Sequence, residues 1–140
     1  MQNPLPVVGW REWLSLPELG IEHLKVKVDT GARTSALHAF YVKPYQQQDE
    51  EWVRFGIHPE QDSTDLVVEC CARVKDRRVV TDSGGHREER FVIQTTLQLA
   101  DINWQAELTL TDRDSMKFRM LLGRTALNGR FLVDPSASFC

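Results

Sequence analysis

Strong charge of either sign is absent from this 140-residue chain: 17 Lys and Arg face 20 Asp and Glu, a formal net charge of −3. A dedicated nucleic-acid binder carries a pronounced basic excess, so no nucleic-acid partner is expected. Cysteine is scarce as well. Cys70, Cys71 and Cys140 are odd in number and two are adjacent, which suits reduced thiols, with Cys70 and Cys71 as a buried strand pair, better than a disulfide framework. No run approaches the roughly 18 uninterrupted apolar residues of a membrane span. No basic segment followed by a long apolar one opens the sequence, and a cytoplasmic location is the expectation. Also missing are Cys-x-x-Cys, His-Glu-x-x-His and the Gly-x-x-x-x-Gly-Lys-Ser/Thr phosphate loop. The four histidines, His23, His38, His58 and His86, lie far apart in sequence. Neither a zinc cluster nor an ATP-phosphate loop is therefore expected from the motifs, and no cofactor is.

What is present is an ordinary globular composition, 41% apolar and 26% charged, in a length that suits one domain over residues 1–140. A domain of this size buries roughly 68–70% of its unfolded surface and needs no metal or disulfide to hold a core. Period-two alternation dominates. Leu24, Val26 and Val28 alternate with Lys25 and Lys27 in a strand that ends at Asp29. Phe91, Ile93, Thr95, Leu97 and Leu99 share one parity; Ile102, Trp104, Ala106, Leu108 and Leu110 share another. The break at Ala100-Asp101 joins these two runs as a hairpin. Shorter strands are expected over 53–57, 66–72, 77–80, 118–122 and 131–133, and loops over 46–51 and 58–65. The one helical piece is 125–128, closed by Gly129. Many short strands with little helix predict an all-β antiparallel barrel or sandwich. Trp10, Trp13, Trp52 and Trp104 are expected to fill the core or a dimer interface.

Two segments carry candidate chemistry. In Val28-Asp29-Thr30-Gly31-Ala32 an apolar strand delivers a carboxylate into a tight turn of small residues. Such a turn can hold Asp29 rigidly, with Thr30 and backbone N–H groups as partners; it also suits an ordinary Asx-type turn. Met120-Leu121-Leu122-Gly123-Arg124 is the second, a core strand with a glycine exit that can pack a loop against the first.

Together these motifs have the layout of the retropepsin-like aspartic proteases. Gly9-Trp10-Arg11-Glu12-Trp13, the run from Lys27 to Ala39, Thr81-Asp82-Ser83-Gly84-Gly85-His86-Arg87-Glu88-Glu89-Arg90 and Leu121-Leu122-Gly123-Arg124 more specifically resemble a bacterial family labelled ATP-dependent zinc protease. The resemblance spans about Val7 to Phe139. It implies a closed retropepsin-like β-barrel with one short C-terminal helix. It implies Asp29 as the catalytic acid, with Thr30, Gly31, Ala32, Leu122 and Gly123 forming the active-site loop. Aspartic-protease chemistry needs two carboxylates sharing a proton, and one Asp-Thr-Gly supplies only one. A homodimer is thus implied, bringing two copies of Asp29 together on a two-fold axis. By position, 81–90 is where retropepsins carry a flap, with Gly84 and Gly85 as its hinge. Here the flap presents His86, Arg87 and Arg90, balanced by Glu88 and Glu89, while Arg33, Arg119 and Arg124 lie in or beside the other motifs. Guanidinium groups around a cleft favour carboxylate-bearing substrates. The family is often encoded near an ATP-grasp glutamate ligase, which hints at acidic, glutamate-rich peptide tails as substrate and at that ligase as a partner. Zinc and ATP enter through the family label only. Two rivals remain: a non-catalytic module that binds an acidic tail or regulates the ligase, and a zinc metallopeptidase.

Overall fold

A computed structural model of the chain describes residues 5–60, 63–81, 84–112 and 118–140. Twelve strands are found there: β1 (Val7–Val8), β2 (Arg11–Leu16), β3 (Ile21–Asp29), β4 (Ser35–His38), β5 (Tyr41–Gln47), β6 (Glu50–Ile57), β7 (Val68–Arg73), β8 (Asp76–Thr81), β9 (Arg87–Leu99), β10 (Ile102–Thr111), β11 (Met120–Gly123) and β12 (Leu132–Val133). Helix α1 (Arg124–Leu127) is a single turn, and a 3₁₀ turn over Pro17–Leu19 links β2 to β3. No helix among the described residues is long and apolar enough to cross a membrane.

The main sheet has the order β10-β4-β11-β3-β2-β9-β8, and β9 also pairs with β10. β2 meets β9 at the single pair Ser15↔Gln98, and β8 is the edge beyond β9. A second sheet, β5-β6-β7, lies beside it, and β1 pairs in parallel with β12.

The alternating runs fold as their parity requires. Leu24, Val26 and Val28 are buried, as are Ile93, Leu97, Leu99, Trp104, Leu108 and Leu110. The β9–β10 hairpin turns at Ala100 and Asp101, both at positive φ (+51° and +64°), the backbone a two-residue turn requires to match strand twist. Gln48 and Asp49 adopt the same conformation. The polar segment 46–51 is consequently a β5–β6 hairpin tip and not a loop.

Strand β2 hides its pattern because its buried and exposed positions carry unexpected residues. Glu12 is buried, and its Oε2 accepts the Gly9 N–H at 2.7 Å and the Cys140 N–H at 2.9 Å. Trp13, by contrast, is 46% exposed, stacked on Phe139. Only Trp104 of the four tryptophans joins the buried core. Gly9 is needed because a Cβ there would come within 2.1 Å of the Ala137 carbonyl oxygen, where the chain end crosses β2. Strand β4 has no alternation because it lies between β10 and β11, with Ser35, Ala36 and Leu37 all buried. Cys70 and Cys71 are not a buried pair: the pleat turns Cys70 into the core and Cys71 outward. Burial pushes the Cys70 thiol up to about 12, which keeps it protonated.

Candidate active site

Strand β3 carries Asp29 to its C-terminal end, and β11 runs parallel beside it with Leu122 opposite Val28 and Gly123 opposite Asp29. The two motifs, ninety residues apart in sequence, thus meet in register. The turn after Asp29 is closed by the Ala32 N–H donating to the Asp29 carbonyl at 3.1 Å, while the Gly31 N–H donates to Asp29 Oδ1 at 3.1 Å. The start of α1 holds the same loop from behind. Arg124 N–H donates to the Ala32 carbonyl at 2.9 Å, and Thr125 donates to the Arg33 carbonyl through its N–H and its hydroxyl, the latter at 2.7 Å. Gly123 N–H donates to Ser35 Oγ at 2.9 Å, and a Cβ on Gly123 would lie 2.7 Å from the Thr34 carbonyl carbon. Thr30 is exposed and does not line the cleft; the loop is held by backbone groups. Leu122, fully buried, and Gly123 support the loop from below without reaching the cleft.

Asp29, Gly31, Ala32 and Arg33 line one wall of a cleft of about 920 Å³. The opposite wall is Arg78, Val79, Val80 and Thr81, with Arg90 beside them. Side chains on a strand alternate between faces, so four consecutive lining residues mean that β8 turns its edge to the cleft. That edge pairs with no strand among the described residues, since β8 is hydrogen-bonded to β9 alone. The floor includes Glu107 and Thr109 of β10.

The structure redistributes the expected flap. The hairpin is present as β8–β9, and Gly85 at its tip has φ +86°. Ser83 lies outside the described residues. Gly84, Gly85, His86 and Arg87 are exposed at the tip and do not line the cleft; Arg90 and Arg33 do. Arg124 uses its Nη1 to donate to the Gly31 carbonyl at 3.2 Å, which makes it a brace of the Asp29 loop. Arg119 is buried, donates to the Glu60 carbonyl at 3.4 Å and takes no part in the cleft wall.

Two charged cleft residues, Arg78 and Glu107, escape sequence reasoning. Arg78 bonds Asp76 at 2.9 Å and Glu107 at 2.9 Å, and Lys75 bonds the other oxygen of Glu107 at 2.9 Å. Hydrogen bonding from Lys75, then from Arg78, holds the Glu107 carboxyl below the ordinary carboxylate range. Arg78 is thereby neutralised from two sides and Arg90 is paired with Glu88 at 3.3 Å. Arg33 alone of the three cleft arginines has no acidic partner among the described residues. A lowered pKa fixes the sign of a stability effect: the Glu107 pairs stabilise the fold above the ordinary value near 4.5, and this is lost as pH falls through the lower folded value. Melting curves of the wild type and Glu107→Gln should accordingly differ at neutral pH and converge on acidification. A difference that persists unchanged however far the pH is lowered would contradict the linkage.

Among the described residues no group of three or more His, Cys, Asp or Glu is placed to hold a metal ion. His23 packs edge-on against Trp13, and His58 stacks on Phe40.

A sequence profile of the RimB-like family, described as retropepsin-like aspartic endopeptidase RimB, matches residues 7–140. Curated relatives include proteins named "Probable alpha-L-glutamate ligase" from Shewanella pealeana (47% identical over 134 residues), Desulfotalea psychrophila (47% over 130) and Parasynechococcus marenigrum (46% over 132). These alignments cover 96%, 93% and 94% of this chain but only 29%, 28% and 28% of the relatives, so the chain spans less than a third of their length. A crystal structure of a Legionella pneumophila protein of unknown function superposes with a TM-score of 0.78, 96% coverage of both chains and 22% identity, and shares the fold.

Proposed function

Because the chain belongs to the RimB-like family of retropepsin-like aspartic endopeptidases, we propose that it is an aspartic peptidase whose site is completed by a second copy of itself. The observation that carries this reading is the placement of Asp29 across a cleft from the unpaired edge of β8. An extended peptide can add to that edge as a further strand, its backbone hydrogen-bonded to β8 and its scissile bond held over the carboxylate. One Asp29 then acts with the Asp29 of the other copy. Two carboxyls in contact share one proton. The ionised one takes a proton from water as the oxygen attacks the peptide carbonyl, and the protonated one donates to the carbonyl oxygen. As the tetrahedral intermediate collapses, the carboxyl that took the proton from water donates it to the leaving amine and the other recovers its own from the hydroxyl, which restores the shared proton. No cofactor enters these steps. Closure of the main sheet into a barrel, two-fold assembly and a cytoplasmic site of action belong to the same proposal.

The substrate in this reading is an acidic, glutamate-rich peptide. Arg33, Arg78 and Arg90 outnumber Asp29 and Glu107 in the cleft lining, and Arg33 is the one of these three without an acidic partner among the described residues. That the same region forms part of relatives named glutamate ligases favours a working association with such a ligase, as its counterpart on glutamate tails. Hydrolysis of a glutamate-rich peptide and a neutral one of equal length tests this. Arg33→Ala should raise KM for the acidic peptide about tenfold, leave the neutral one unchanged, and reduce the salt dependence. Equal cleavage of both peptides, unaltered in the variant, would refute the acidic preference.

A further inference from the structure

The β5–β6–β7 sheet lies against the core with one face only. Val53, Phe55 and Ile57 of β6 and Cys70 of β7 point inward and are buried. The alternate positions form an outer face whose register sets three rows: Tyr45–Trp52–Arg73, Lys43–Arg54–Cys71 and Tyr41–Gly56–Glu69. Lys43 and Arg54, both exposed, stand directly opposite one another, an arrangement of like charges that destabilises a sheet. Neither forms an ion pair among the described residues. Each lies against a ring, Arg54 6.0 Å from the Tyr45 centroid and Lys43 5.6 Å from that of Tyr41, and Arg54 and the Tyr45 hydroxyl also meet the Cys71 side chain. Half-exposed rings flank this cationic row on both sides: Tyr45 and Trp52 beyond one, Tyr41 beyond the other, the last packed on Phe40 at 5.1 Å. Gly56 makes the room, since a Cβ there would meet the Phe40 ring at 2.4 Å and the Tyr41 ring at 2.6 Å. None of these residues lines the Asp29 cleft.

We infer that this outer face binds single-stranded nucleic acid, with Tyr45, Trp52 and Tyr41 stacking on bases and Lys43 and Arg54 holding the phosphate between them. Rows two residues apart are about 7 Å from one another, a spacing that places charge between successive ring platforms as in sheet-based readers of two or three bases. Bases supply flat faces for the rings and phosphates relieve the Lys43–Arg54 repulsion. An acidic peptide would satisfy the cations and leave the rings unused, and a duplex offers no free base faces. Arg73 is paired with Glu50 at 3.5 Å, and Glu69 stands in the Tyr41 row and bonds the Tyr41 hydroxyl, which leaves Lys43 and Arg54 as the cationic part of the face. The net charge of −3 does not oppose this at physiological salt, where charges beyond about 8 Å are screened.

Fluorescence anisotropy with oligouridine and oligothymidine of about 12 nucleotides, at about 50 and about 200 mM salt, tests the assignment, with thermal melts establishing that each variant is folded. Binding of either strand is expected, with quenching of tryptophan emission and weakening at the higher salt. Trp52→Ala should reduce affinity about tenfold and Trp52→Phe should recover most of it. Lys43→Gln combined with Arg54→Gln should lower the salt slope by about one. Absence of binding, equal binding of a duplex, an unchanged affinity in Trp52→Ala and Tyr45→Ala, or displacement by a glutamate-rich peptide at equal strength would each overturn it.

Discussion

Asp29→Asn is expected to lower peptide hydrolysis by about 10³-fold or more with little change in thermal stability, while chelators leave the wild-type rate intact. General acid–base groups contribute about 10²–10⁴ in rate, and here one residue type supplies both acid and base. Asn preserves the size of the side chain and its capacity to accept the Gly31 N–H, the one hydrogen bond of the Asp29 carboxylate among the described residues. Folding therefore loses little, whereas the proton transfer has no replacement. Turnover measured beside a melting curve separates the two effects. Residual activity near the wild-type level, or activity removed by a chelator and restored by zinc, would place the chemistry elsewhere.

Gly123→Ala is expected to impair stability and activity together. The backbone at Gly123, φ −85° and ψ 168°, is open to any residue, so conformational strain is not the reason. The added Cβ would lie 2.7 Å from the carbonyl carbon and 2.9 Å from the carbonyl oxygen of Thr34, and 3.0 Å from the Ser35 N. These are backbone atoms that no rotamer change can move. Relief requires the segment after Asp29 to shift away from β11, which breaks the Gly123 N–H bond to Ser35 Oγ and disturbs the register opposite Asp29. Overpacking of this kind costs about 1–3 kcal/mol, enough to lower Tm by roughly 3–10 °C in a domain of this size. Denaturant unfolding and peptidase assays on the same preparation check it. A variant as stable and as active as the wild type would mean the loop has slack that the observed contacts deny.

Much of the fold is legible because half-buried strands write their burial at period two, as β3, β9 and β10 do. The reading fails where side chains break that code for a reason. Glu12 is buried because backbone donors meet it, and Trp13 is exposed because Phe139 stacks on it. Buried on both faces, β4 alternates nothing. The two segments that the sequence singles out, Asp29 to Ala32 and Leu122 to Gly123, lie side by side as a packing of one loop on the other requires, although parity cannot show that β11 pairs with β3. Arg78 and Glu107 stay hidden because each occupies a polar position that reads as solvated surface, and only the pairing of both β8 and β10 with β9 brings them together at the cleft. His86 and Arg87 err in the other direction: proximity in sequence to a hinge does not bring a side chain to the cleft.

The most direct test of the central claim is subunit mixing. Wild-type protein and Asp29→Asn are unfolded together, refolded in varying proportion and assayed on one peptide at constant total protein. If each site is built from one Asp29 of each copy, only wild-type pairs are active, and activity falls as the square of the wild-type fraction, to about a quarter in an equal mixture. Activity that falls in simple proportion, to about half, would show that each chain carries a complete site and would contradict the shared dyad.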